Sequence, residues 1–182
     1  MSQAKGYHCR VCGEYHEGLP LHYGTAVPAA YDAIPEAERE ERVILSSDLC
    51  AIDDEHFFIV GNIDIPIIGH DELFSWDVWV SLSKKNFTRV IELWKTAGRE
   101  SEPPYFGWLC TALPGYPDTL HLKTDVHTRE VSQRPYIELE PTDHLLAVEQ
   151  RTGITWDRVQ EIAELVLHDA APRFARAVPE SR

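Results

Sequence analysis

Basic residues are scarce in this 182-residue chain: 17 Lys and Arg stand against 30 Asp and Glu, a formal charge of -13. Gripping a phosphate backbone needs cations that displace counterions, so the balance excludes a simple nucleic-acid binder. An anionic membrane surface is disfavoured on the same ground. No apolar run approaches the roughly 18 residues of a membrane span. The longest, Ile63 to Ile68, is interrupted by Asp64 and Pro66. The opening Met1 to Gly6 lacks the apolar stretch of a signal peptide, and a soluble cytoplasmic protein is expected. Internal repeats, a Gly-x-Ser-x-Gly nucleophile elbow and a Gly-rich phosphate loop are all missing. There are only four cysteines, Cys9, Cys12, Cys50 and Cys110. In a reducing compartment, metal binding or burial explains them better than a disulfide framework.

The length suits one domain, residues 1–182, able to bury a core without disulfides. Within it, residues 7–50 include a small metal-binding element, and 173–182 read as a disordered tail. The acidic excess is uneven: residues 1–70 hold 12 acidic and 4 basic side chains, and the same segment holds three of the four thiols. Gly18 to Pro35 reads as irregular, and a short surface helix is predicted from Pro35 to Arg42. Strand-like runs come next at Val43–Ser46, Leu49–Ile52, His56–Val60 and Ile63–Ile68, with turns expected at Asp53-Asp54 and Gly61-Asn62.

From Phe74 the alternation is clean. Phe74, Trp76, Val78 and Val80 face one side, and Ser75, Asp77, Trp79 and Ser81 the other, the mark of a half-buried strand. Trp79 thereby leaves the apolar stripe, and packing in the core is the preferred reading for it over an exposed patch with Tyr105. Ser83 can cap a helix from Lys84 to about Ala97, with Phe87, Val90, Ile91 and Trp94 as its core stripe. Further strands are predicted at Tyr105–Leu113, Leu120–His127 and Tyr136–Leu139. Helices are predicted at His144–Arg151 and Trp156–His168. Strands in succession, with helices between and after them, predict α+β: a largely antiparallel sheet with helices packed on it and an N-terminal zinc-knuckle-like element.

The sharpest motif is Cys9-x-x-Cys12-Gly13-x-x-His16. Two cysteines with two residues between them form a knuckle that lets both thiolates reach one Zn²⁺, and Gly13 allows the tight bend. His16 is close enough to add a nitrogen, and Cys50 could complete a tetrahedral structural site; His8 and His22 compete for the histidine place. A second paired knuckle is missing, so two semi-exposed thiols on a hairpin stay open as an alternative. A thioredoxin-like redox pair is disfavoured, because Gly13 and the Tyr-His-Glu-Gly run after it do not begin a convincing helix.

These residues also resemble the opening of the bacterial domain of unknown function 2199 family. The resemblance continues through Asp48-Leu49-Cys50-Ala51-Ile52-Asp53, Phe57-Phe58 and Trp79-Val80-Ser81-Leu82-Ser83 with Asn86-Phe87. It extends to Pro104-Tyr105-Phe106-Gly107-Trp108-Leu109, Tyr116-Pro117, Leu120-His121-Leu122-Lys123, Arg134-Pro135 and Leu139-Glu140-Pro141-Thr142-Asp143-His144. One departure is Val60, where the family pattern carries an arginine. The resemblance implies a shared fold and surface and no reaction.

A second polar constellation comprises His121, Asp125, His127, Asp143 and His144. A hydrolase could use His127 or His144 as a general base oriented by Asp143. A solvated strand face, with Thr142-Asp143 as a helix cap, is the preferred reading. Asp48, Asp53, Asp54 and Glu55 suggest a magnesium site less well than they suggest turn chemistry. Cys110 sits in an apolar run, where a buried inert thiol is expected. The expected function is a zinc-stabilised interaction or binding module with a protein partner, and neither nucleic acid nor membrane. The alternative is a metal-dependent or His/Asp-based hydrolase using His121, His127, Asp143 or His144. Four protein ligands on the metal favour the first; three and a water favour the second.

Overall fold

The computed structural model describes residues 6–169 and 174–176. A small hairpin, β1 (Tyr7–His8) with β2 (Tyr15–His16), precedes the main sheet. That sheet comprises β3 (His22–Thr25), β4 (Val43–Leu45), β5 (Leu49–Ile52), β6 (His56–Pro66), β7 (Leu73–Leu82), β8 (Tyr105–Leu109), β9 (Lys123–His127), β10 (Tyr136–Leu139) and β11 (Phe174–Arg176). The helices are α1 (Arg39–Arg42), α2 (Lys84–Glu92), α3 (Leu145–Thr152) and α4 (Trp156–His168). Of the tail expected over 173–182, only the backbone of 174–176 is among the described residues, paired antiparallel with β3.

The sheet is not open, and this corrects the α+β expectation. Strands β6 to β10 form an antiparallel meander, and β10 then pairs with β6. Four antiparallel steps leave the fifth strand running parallel to the first, so the seam is parallel, with Tyr136 opposite Asn62. The result is a closed five-stranded β-barrel, extended by β5 and β4 beside β6 and by β3 and β11 beside β7, with few and short helices. Period-two patterning predicts the individual strands but is the same for an open sheet and a closed one. Closure depends on a pairing between distant segments, which no local pattern encodes.

The seam also explains an expected turn that does not form. Gly61 and Asn62 lie inside the 11-residue β6. A Cβ on Gly61 would collide with the Ile137 side chain and come within 2.8 Å of the Pro135 carbonyl. Glycine is there to let β10 approach, and the Asn62 amide donates to Pro135 O at 2.8 Å.

Alternation divides the interior as the sequence predicts. Ile59, Ile63, Ile65, Phe74, Trp76, Val78 and Val80 point into the principal core, joined by Leu146 from α3 and Val159 and Ile162 from α4. Phe58, Val60 and Trp79 point to the other side, into a smaller cluster with Ile34, Cys50 and Ile52. Trp79 is 1% exposed, and its indole N–H donates to Thr25 O at 3.0 Å. Ser83 caps α2 by accepting from the Asn86 amide, but the helix ends at Glu92, short of the expected Ala97. Leu93 is its C-cap, and past it buried Arg99 donates from its guanidinium to the carbonyls of Trp94, Arg129, Glu130 and Gln133.

Candidate metal centre

The β1–β2 hairpin carries its chemistry at the tip. The Cys9 amide donates to Glu14 O and the Gly13 amide to Cys9 O, both at 2.9 Å, closing a tight loop over Cys9 to Glu14. Gly13 has φ 74°, a left-handed conformation that glycine adopts without cost. This turn aims backbone N–H groups at sulfur. The Val11 amide donates to Cys9 Sγ at 3.4 Å, that of Cys12 also reaches Cys9, and that of Glu14 reaches Cys12. Such donors favour thiolates, the form in which cysteine binds metal.

The Cys12 Sγ lies 3.5 Å from His16 Nε2. The ligand atoms of Cys9, Cys12 and His16 all fall within 4.8 Å of one another, and together they could hold a metal ion. No other group of three or more His, Cys, Asp or Glu converges in this way among the described residues. Burial acts to raise the Cys9 thiol, but the amides of Cys12 and Val11, with His168 beside it, outweigh burial and bring it down to about 6. The Glu14 amide pulls Cys12 down, yet burial and the neighbouring Cys9 overcome it and leave Cys12 raised. The split is what two close thiols produce: the first to ionise opposes the second.

Strand alternation selects among the nearby histidines. Tyr7 pairs with His16 and His8 with Tyr15. The His16 ring stacks on Tyr7 at 5.2 Å, while His8 meets Tyr15 edge-on. His8 therefore occupies the opposite face. His22 is engaged by Asp77, with Nε2 to Oδ1 at 2.7 Å.

Cys50 is not brought to this group. It is wholly excluded from solvent in the smaller cluster with Ile52, Phe58, Val60 and Trp79. The residue that does approach is one the motif does not contain. His168 Nε2, at the end of α4, lies 3.2 Å from Cys9 Sγ. The hairpin is seated on α4 by Arg10, whose amide and guanidinium reach both Glu164 oxygens at 2.8 and 2.9 Å, and by Gln160, which donates to His8 O at 3.0 Å. Gln160, Glu164 and His168 recur every fourth residue, one face of the helix. Burial works to raise Glu164, but the Arg10 amide, Gln160 and the Arg10 guanidinium hold it below the ordinary range. That row of polar residues is the signal the sequence offers for His168.

Residues 8–154 match the model of a family described as an uncharacterized protein conserved in bacteria (DUF2199). The chain belongs to that family. No curated protein and no solved structure matches it. The DUF2199 match takes in the thiol knuckle and ends before α4.

Several of the other polar residues of this DUF2199 protein have identifiable partners. His127 Nε2 lies 2.8 Å from Glu138, and His144 Nδ1 accepts the Leu146 amide at 3.2 Å, capping α3. His121 sits in a turn with φ 64°, and Asp125 and Asp143 are exposed. Asp48 meets Arg134, Asp53 takes a two-pronged contact from Arg42, and Asp54 meets Lys84. Among the described residues no helix is long and apolar enough to cross a membrane.

Proposed function

We propose that this DUF2199 member is a zinc-stabilised binding module of the cytoplasm. Two thiolates and an imidazole are soft and borderline ligands, a set that suits Zn²⁺ and not the hard, oxygen-seeking Mg²⁺ or Ca²⁺. The observation that carries the reading is the knuckle itself: peptide N–H groups directed at both sulfurs, with His16 on the same face of the hairpin. The metal would bind, orient and rigidify a segment too short to hold itself together. No observation favours the hydrolase alternative built on His121, His127, Asp143 and His144.

The binding face is the outer surface of β8. Phe106 and Trp108 are 48% and 39% exposed and meet edge to face at 5.1 Å. Beside them a groove of about 710 Å³ runs between α2 and β8, its lining including Lys84, Lys85, Arg89, Glu92, Glu102 and Phe106. Arg89 is already paired with Glu102, and Lys84 with Asp54, so exposed aromatic anchors beside a groove of balanced charge fit an extended protein segment carrying apolar side chains.

Elemental analysis of the purified full chain tests the metal: about one equivalent of zinc is expected, lost in Cys9→Ser and Cys12→Ser. Absence of zinc, with a thermal midpoint indifferent to chelator, would overturn the proposal. For the face, Phe106→Ala with Trp108→Ala should keep the wild-type unfolding midpoint and lose peptides selected on the wild type from a displayed library. A collapse in stability, or unchanged peptide binding, would show that these rings do not form the contact surface.

A further inference from the structure

We propose that His168 is the fourth ligand of the metal centre, so that one ion clasps the N-terminal hairpin to the end of α4. The inference rests on the zinc reading of Cys9, Cys12 and His16 and extends it to a residue 152 positions beyond the last of them.

The distances carry the first part of the case. Zinc with Zn–S of about 2.3 Å and Zn–N of about 2.0 Å, at tetrahedral angles, sets each sulfur about 3.5 Å from each nitrogen. Cys12 Sγ to His16 Nε2 is 3.5 Å and Cys9 Sγ to His168 Nε2 is 3.2 Å. These two contacts have the length of opposite edges of one coordination tetrahedron, and each pairs one thiol with one imidazole.

The second part is placement. The Arg10–Glu164 and Gln160–His8 contacts fix the hairpin on the face of α4 that also presents His168. The His168 imidazole stands beside Cys9 but outside the group of ligand atoms that lie within 4.8 Å of one another, so closing the site takes a shift of that side chain toward Cys12 and His16. Cys50, the other fourth-ligand candidate in the chain, lies in a separate apolar cluster.

The third part is charge. Two thiolates balance the dication, and two neutral imidazoles add none, so the finished centre is electroneutral. Binding releases whatever protons the two thiols still hold at the working pH, and the metal takes the place of those protons. With four protein ligands no position is left for a substrate or a water, so the centre is structural. Its work is mechanical: it joins the first described strand to the last described helix.

Zinc affinity of the full chain, measured against a chromophoric competitor, together with Co²⁺ absorption spectra, tests this. His168→Ala should bind zinc about 10-fold or more weakly. Its Co²⁺ complex should lose the intense bands of a tetrahedral site. His168→Cys should restore affinity and add sulfur-to-cobalt charge-transfer absorption, and Cys50→Ser should leave affinity and spectrum unchanged. If wild type holds zinc while His168→Ala keeps wild-type affinity and spectrum, the fourth-ligand assignment is overturned and the three-residue site stands. Loss of the spectrum in Cys50→Ser would also overturn it. If wild type takes up neither zinc nor Co²⁺, the underlying metal reading fails, and this inference with it.

Discussion

Cys50 and Cys9 are both almost inaccessible to water, yet their surroundings drive them in opposite directions. Cys9 has amide hydrogens aimed at its sulfur; Cys50 has Ile52, Phe58, Val60 and Trp79 packed around it. Burial with no compensating donor pushes the Cys50 thiol up to about 11. At pH 8 a thiol-alkylating reagent should therefore label the folded, metal-free protein at exposed Cys12, and Cys50 only after unfolding. Peptide mapping of the labelled sites checks this. The pH dependence has a definite sign. Between about 9.0, where a freely solvated thiol ionises, and about 11, the folded chain keeps a proton that the unfolded chain gives up. Stability contributed by this residue is complete below that window and declines as pH rises through it. Sequence proximity makes Cys9, Cys12 and His16 legible as a group. Assigning Cys50 to them rests on the scarcity of other thiols, and nothing local to Cys50 shows that it faces an apolar cluster. Asp77 is equally hidden. It lies on the polar side of a clean alternation but is 5% exposed, accepting from His22, Asn62 and Arg134. A Cβ on Gly24 would approach Asp77 Cβ to 2.6 Å, so a glycine on β3 gives that carboxylate its space.

At the scale of elements, local chemistry is legible in the chain and stopping points are not. The Ser83 cap of α2, the Thr155 cap of α4 and the split of β7 between two apolar clusters derive from side-chain type and periodicity alone. The end of α2 at Glu92 does not: the apolar stripe runs on to Trp94, while the chain past the helix is tied by Arg99 to the carbonyls of the 129–133 loop. Nor does the continuity of β6 through Gly61-Asn62, a pair that in isolation favours a turn. The seam of the barrel makes this testable. A methyl group at position 61 would press on Ile137 and on the Pro135 carbonyl. Relief by side-chain motion is blocked on the backbone side. Gly61→Ala should cost about 1–3 kcal/mol, even after the small gain expected from restricting the unfolded chain. Chemical denaturation should show the midpoint lowered with the slope unchanged; a neutral or stabilising effect would mean that β10 does not pack this closely on β6.

For the whole molecule, the formal charge of -13 weighs against the phosphate-binding classes, and family membership agrees with the resemblance carried by the motifs. Barrel closure is the feature that local patterning leaves out, because an antiparallel meander has the same pattern whether its edges meet or not. The helices mislead for a related reason: α3 and α4 have apolar stripes, but these complete a core that the curved strands already define. Acidic residues are densest in the segment that also holds Cys9, Cys12 and Cys50. Negative potential there draws cations and repels nucleic acid, in keeping with a metal that serves the fold.

The parallel seam also sets the order in which such a chain can assemble. Antiparallel neighbours β6 and β7 are joined by a short connection and can zip from it. Asn62 and Tyr136, in contrast, are 74 positions apart and meet only after the meander between them is in place. Closing a loop of that length costs chain entropy before any contact rewards it, which slows folding and places the step late. Until β10 docks, the part of β6 beyond its pairing with β5 presents an unpaired edge, the configuration most prone to recruit a strand from another chain. The barrel is thus most exposed to misassembly in the interval before its last strand arrives.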